Sequence, residues 1–420
     1  MLLYPVLLEW LEFAVRWLHV ITAIAWIGSS FYFIALDLGL RSPIDKNHKA
    51  NGEAWQVHGG GFYHIQKYMV APERMPEELT WFKWESYATW LSGFALMILT
   101  YYLGAELLLV DPNVQDIPPW VAVFISVASL VFGWVLYDTI CKSKFGEDNT
   151  RLMILLYIIL VAMAWGYTQV FSGRAAFLHL GAFTATVMSA NVFLIIIPNQ
   201  KIVVKDLIAG RAPDPKYGKI AKQRSTHNNY LTLPVLFMML SNHYPLAFAA
   251  DYNWLIAALV FLMGVTIRHF FNTMHKHEGM LWWTWGATAV LFAAVIWLST
   301  AGIYGQDDAS EDVSAIGPYS QRFVAAAGFD EVHEIVTSNC SMCHAKEPAW
   351  EGMASPPKGV RLETPAQIAT HAKDIWMQAG ATDAMPPVGT YMTLDDDSRA
   401  AIRSWYQAGL EQPRPEFKLW

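Results

Sequence analysis

The chain has 420 residues, 54% of them hydrophobic and 15% charged, where a soluble domain carries about 25% charged residues. A net charge of −7 without any basic tract excludes a nucleic-acid-binding surface, and three cysteines exclude a disulfide framework. The charge is uneven: residues 303 onward hold 17 acidic and 9 basic groups, while the first 302 hold 19 and 20. A nearly neutral apolar body therefore carries an acidic soluble tail.

A helix needs about 20 apolar residues to cross about 30 Å of hydrocarbon. Eight segments meet that length: 14–37, 86–109, 119–140, 152–172, 175–197, 230–250, 253–272 and 280–300. The start, "MLLYPVLLEWLEF", lacks the cationic opening of a signal peptide, so the first helix is expected to be retained. The sixth segment contains Pro234, His243 and Pro245, which a bundle tolerates where neighbours satisfy the backbone.

Loop charges set an orientation. Arg41, Lys46, Lys49, Lys67, Arg74 and Lys83 follow the first segment, and Lys142, Lys144 and Arg151 the third. Lys201, Lys205, Arg211, Lys216, Lys219, Lys222 and Arg224 follow the fifth, and Lys276 follows the seventh, close to Arg268. The even-numbered connections carry almost none, with Arg174 the exception. The positive-inside rule then makes the odd loops cytoplasmic and puts both termini outside. The expected location is a bacterial inner membrane with a periplasmic tail.

Segments one and five share a pattern, pairing His19 with His179, Ser29 with Ser189 and Phe33 with Phe193; Tyr87 and Thr89 match Tyr230 and Thr232. This predicts two four-helix halves in parallel. The expected fold class is all-α: an eight-helix transmembrane bundle over 1–302, a linker over 303–325, and a small class I cytochrome c domain over 326–420.

The tail carries "NCSMCHAKE". Cys340 and Cys343 can form thioethers to haem vinyls while His344 ligates iron, which gives a covalent haem c. A zinc site would want a second Cys/His pair, and a thiol-redox motif would not need the histidine. For the second iron ligand, "GATDAMPPVGTYM" offers Met385, 41 residues after His344 and stiffened by two prolines. Met353, Met377, Met392 and His371 compete with it.

Ionisable residues inside a span are functional hypotheses by default. His19, His179, His243 and His269 qualify as candidate ligands of a non-covalent haem b. The first three are expected at similar depth toward the outside, with His19 and His179 the preferred pair. Arg16 lies one turn from His19 and could meet a propionate. "WLHVITAIAWIGSSFYF" also resembles the first helix of bacterial copper-resistance membrane proteins and membrane protoporphyrinogen oxidases. The first loop gathers His58, His64, Lys67, Tyr68, Trp81, Trp84 and Glu85 near three glycines. It reads either as a binding surface for a flat polar heterocycle or as an interfacial helix. Here His58, His64 and Glu85 are the candidate bases, Lys67 the candidate charge, and Trp81 and Trp84 the candidate stacking platforms.

"HGGGFYHIQKY", "LTWFKWESYATWLSG", eight spans and a Cys-x-x-Cys-His tail together resemble the bacterial membrane-bound urate oxidases that carry a cytochrome c domain. That resemblance implies oxidation of urate to 5-hydroxyisourate, with electrons passed to the haem c instead of to hydrogen peroxide. A soluble cytochrome c or a terminal oxidase is the implied partner downstream. The residues alone also admit a quinol-oxidising or purely electron-transferring cytochrome, and a haem or copper transporter with a fused cytochrome.

Overall fold

A computed structural model describes residues 3–44, 50–68, 76–305, 312–353, 355–387, 390 and 392–413. Lys46, Lys49 and Arg74 of the orientation argument lie outside the described residues, as do 306–311 of the expected linker and 414–420 of the expected tail domain.

Helix α1 runs over Leu3–Gly39. After it the all-α expectation needs correcting: β1 (Ala50–His58) and β2 (Gly61–Tyr68) form an antiparallel hairpin. Gly59 and Gly60 have φ of +58° and +79°, as a two-residue turn matched to strand twist requires. Two turn glycines between aromatic and β-branched residues favour strands over the interfacial helix. Arg41 and Glu53 exchange backbone hydrogen bonds of 3.0 and 2.9 Å, and the Tyr32 hydroxyl donates to Gln56 Oε1 at 2.7 Å. The hairpin is thus fastened to the end of α1.

Helix α2 (Trp84–Met97) continues through π turns at Ile98–Tyr102 and Ala105–Leu109. Then come α3 (Pro119–Lys142) and α4 (Asn149–Thr168), the latter capped by the Asp148 carboxylate. Helix α5 (Gly173–Ala190) passes through a π turn at Asn191–Ile196 into α6 (Ile197–Ile208). Helix α7 (Pro215–Leu240), the short α8 (Pro245–Phe248), α9 (Asn253–His275) and α10 (Trp283–Gly305) complete the bundle. Six helices among the described residues are long and apolar enough to cross a membrane: those at 6–39, 119–142, 149–168, 173–208, 253–275 and 283–301. Trp84–Leu109 falls outside that class because π turns interrupt it. Helix α7 falls outside because it buries Arg224, His227, Asn228 and Asn229.

The sixth expected segment is also shifted. Helix α7 starts at Pro215 and ends at Leu240, since Pro245 cannot continue it, so His243 lies in an exposed turn beyond the helix. The bundle core gathers Phe171, Phe177, Leu180, Phe183, Met238 and Phe261. Helices approach closely where a side chain is missing. A Cβ on Gly264 of α9 would come within 2.5 Å of Pro234 on α7, and one on Gly133 within 2.0 Å of Phe183.

The tail packs α11 (Pro318–Val324), α12 (Phe329–Asn339), α13 (Ser341–His344), α14 (Pro365–Thr370), α15 (Ala372–Ile375) and α16 (Asp396–Glu411) around Phe323, Val332, Val336, Ile368, Ile402 and Trp405. This moves one boundary. Helix α11 falls inside the expected linker, 303–325, yet Phe323 is wholly buried and accepts a 2.8 Å bond from Trp405 Nε1 at its carbonyl. Apolar burial makes that helix part of the tail's core.

The bundle has two distinct ends. The hairpin lies at one, with the C-termini of α1 and α9, where Arg41 meets His277. The tail sits at the other, against the loop following the second π turn.

Candidate functional site

In the tail, Cys340 closes α12 and α13 turns the next residues back on it. The amides of Cys343 and His344 donate to the Cys340 carbonyl at 3.2 and 2.8 Å. His344 Nδ1 donates to the Val360 carbonyl at 2.9 Å, which fixes the ring and leaves Nε2 as the ligating atom. Burial, with Cys343 beside it, pushes the Cys340 thiol up to about 11. Cys340 and Met385 pack against the same core, which Met353, Met377 and Met392 do not join. His371 is engaged with Asp374 at 3.2 Å. The Arg399 guanidinium donates to the carbonyls of Ala379, Thr382 and Met385 at 2.6, 3.0 and 3.3 Å and so pins the methionine loop. This donor set fits a covalent haem c. With Met385 as the sulfur ligand, Met385→Ala should abolish the weak far-red sulfur-to-iron band of the oxidised protein. Survival of that band would transfer the role to another methionine.

The membrane histidines are dispersed. His19 Nδ1 donates to the Thr89 carbonyl at 3.0 Å, and its ring fills the space left by Gly93. His179 is fully buried, donates from Nδ1 to the Ala175 carbonyl at 2.8 Å, and has Tyr101, Tyr167 and Phe171 around it. From Gly93 to Tyr101 is eight residues along one rod, on the order of 10 Å. The structure therefore does not bring His19 and His179 to one depth. His243 is outside the helix, and His269 bonds the Tyr230 hydroxyl at 3.2 Å. Arg16 pairs with Glu12. Of the four, His179 has a buried Nε2 without a hydrogen-bond partner, the donor atom an iron ligand would offer.

The first connection is likewise split. His58 is exposed at the hairpin turn, eight residues from Ala50, roughly 25 Å along the strand. His64 stacks on Trp55 at 4.1 Å and bonds Glu53 at 2.9 Å. Lys67 pairs with Asp37. Trp84 points outward, 65% exposed, whereas Trp81 packs with Trp26 and Tyr87 against Val192, Ile196 and Ile197. Glu85, in the first turn of α2, has a buried Oε2 without a hydrogen-bond partner. Of the three candidate bases it is the one with an idle buried oxygen.

Sequence reasoning missed a polar seam on α7. On one side, Tyr137 bonds His227 Nδ1 at 2.7 Å, and Asn191 donates to the Tyr137 hydroxyl and to Asn228 at 3.0 and 2.9 Å. Arg224 donates to Asp138 at 2.8 Å beside them. On the other side, Asn229 meets Arg268 and Asn272 of α9. The run "RSTHNNY" at 224–230 is the available signal, since consecutive polar residues entering an apolar segment must bury something. A cavity of about 60 Å³ borders Tyr137 and His227 with otherwise mostly apolar walls, which suits no anion.

The tail is held to the bundle by polar contacts. Lys373 donates to the carbonyls of Glu106 and Val110 at 2.6 and 3.3 Å, where the second π turn ends. Asn113 donates to the Thr370 carbonyl at 3.1 Å and accepts from Ser320. Burial lowers the Lys373 pKa and raises that of Asp111.

Membrane-length helices carrying a haem-attachment unit at one end define a membrane-associated cytochrome fusion. Within that class, the chain belongs to the urate oxidase N-terminal family, whose model matches residues 5–299. Residues 327–405 match the model of the cytochrome c oxidase cbb3-type subunit III. No curated protein and no solved structure matches the chain. The two family matches make it a urate-related redox fusion with a covalently bound haem c.

Proposed function

We propose that this chain oxidises urate to 5-hydroxyisourate in its membrane domain and delivers the electrons to its own haem c without making hydrogen peroxide. The observation that carries this is the fusion itself: a urate oxidase family domain over 5–299 joined to a cytochrome domain over 327–405, with Lys373 holding the two together. The reaction adds one water oxygen to urate while two protons and two electrons leave. Haem c, held by Cys340, Cys343 and His344, would supply a one-electron acceptor, so it would pass the first electron on before taking the second. Our proposal puts the site at the hairpin end, where Glu85 would take a proton and Trp81 would border the substrate.

The same proposal includes eight crossings in two parallel halves, counting Trp84–Leu109 and α7. The lysine-bearing loops face the cytoplasm and the tail faces the periplasm of a bacterial inner membrane. The tail hands electrons on to a soluble cytochrome c or a terminal oxidase. A non-covalent haem b is proposed at His179 on the strength of its idle Nε2. Acid-acetone extraction tests this point, and fully loaded protein with no extractable haem would remove it.

The main test is anaerobic addition of urate to purified oxidised protein. The c-type haem should become reduced, and aerated turnover should give no peroxide in a peroxidase-coupled assay. Reduction by quinol but not by urate would replace this function with that of a quinol-oxidising cytochrome.

A further inference from the structure

Arg268 lies on α9 and is 5% exposed. Its Nε donates to Asn229 Oδ1 at 3.3 Å and its Nη2 to Asn272 Oδ1 at 3.2 Å. Both partners are neutral. Asn272 also donates to Asn229 Oδ1 at 2.9 Å, so these two amides are locked and cannot supply charge. The guanidinium lies 4.0 Å over the ring of Phe31 on α1. Among the described residues, no carboxylate is within ion-pair distance of it. Arg224 provides the contrast: equally buried and near the same end of the bundle, it has Asp138 at 2.8 Å.

A buried cation without a counter-charge is costly, the more so within a span. Arginines this buried are paired as a rule. Two further polar groups nearby are also unmatched. Asn229 is 1% exposed and its Nδ2 has no partner; His275, two turns beyond Arg268 on α9, has a buried Nδ1 without one. The site thus offers a buried positive charge, an idle amide donor and an idle imidazole nitrogen, all toward the hairpin end where α1, α7 and α9 meet. An anion would complete it. A planar one with both N–H and carbonyl edges would match best, because its carbonyl oxygens can accept from the cation and the idle amide while an N–H can donate to the imidazole nitrogen.

We propose that Arg268, supported by Asn229 and Asn272, is the anchor for the anionic substrate, which is the urate monoanion. This assignment rests on the urate-oxidising function above and gives that function a binding site. The anion brings the missing charge and occupies the idle donors. In its absence the guanidinium is a net burden on the fold.

The test compares full-length, haem-loaded wild type with Arg268→Gln, Arg268→Lys and Arg268→Met in detergent, with urate as the probe. Equilibrium dialysis should show urate binding roughly tenfold to a hundredfold weaker in Arg268→Gln, the range expected for loss of charge-assisted hydrogen bonds. Arg268→Lys should recover part of this through its charge. Thermal unfolding gives a second measurement. Ligand-free Arg268→Met should melt at or above the wild-type temperature, since an unpaired buried charge is removed. The rise that urate produces in wild type should vanish in this variant. If wild type binds and oxidises urate while Arg268→Gln binds it equally well, the anchor assignment is wrong and the function stands. If Arg268→Met melts lower and still gains the wild-type stabilisation from urate, the arginine is structural. If wild type neither binds urate nor is reduced by it, the function itself fails, and the anchor assignment with it.

Discussion

Glu85→Gln is expected to retain its haem c and its fold while urate reduces that haem about 10²- to 10⁴-fold more slowly, the usual contribution of a positioned general base. The substitution keeps the shape of the side chain and removes the basic oxygen. Glu85 Oε2 is buried and has no hydrogen-bond partner, so it can take a proton without first breaking a contact. The neighbouring candidates set the scale. His58→Ala should be close to wild type, because His58 is exposed at the hairpin turn. His64→Ala removes the stack on Trp55 and the bond to Glu53, and should loosen the hairpin before it touches turnover. Stopped-flow reduction by urate, normalised to haem content, separates these cases. A wild-type rate in Glu85→Gln would move the base away from the start of α2.

Trp405→Ala should have the largest structural effect in the tail. Trp405 is fully buried and donates from Nε1 to the Phe323 carbonyl at 2.8 Å. Its ring lies 5.7 Å from that of Phe323 and 6.2 Å from that of Phe329, so it joins α16 to both α11 and α12. Truncating a buried tryptophan costs about 3–5 kcal/mol, against a stability of about 5–15 kcal/mol for a whole domain. The Phe323 carbonyl would also lose its partner. Calorimetry should show the tail melting separately and earlier, with a membrane domain unchanged in its own transition. A single unshifted transition would mean that Trp405 is not the keystone of this core.

The residues that were legible share one property: their chemistry is local. Cys340, Cys343 and His344 lie within one turn, so the spacing alone shows the haem motif. The apolar lengths of α1, α3, α4, α5, α9 and α10 are likewise read within one segment. The hairpin was missed although Gly59 and Gly60 announce its turn, because aromatic and charged residues around them fit an interfacial helix equally well. Helix α11 reads as linker in sequence because its anchor, Phe323, meets Trp405 from 82 residues away. The match between His19 and His179 lay in sequence pattern, and packing put them at different depths along α2. In sequence Arg268 reads only as a positive charge close to a loop. Whether a buried cation has a partner depends on side chains from α1 and α7, which no single segment shows.

Lys373's hold on the loop at Glu106 and Val110 also bears on the kinetic order expected of the proposed reaction. A tethered partner is present at an effective concentration in the millimolar range, whatever the concentration of the protein itself. With the haem c of the tail as the acceptor of the proposed urate oxidation, urate-driven reduction should follow first-order kinetics in protein with a rate constant that dilution does not change. The lipid surface around each molecule would then not matter to that step, because no second protein would have to diffuse along it before the substrate's electrons left.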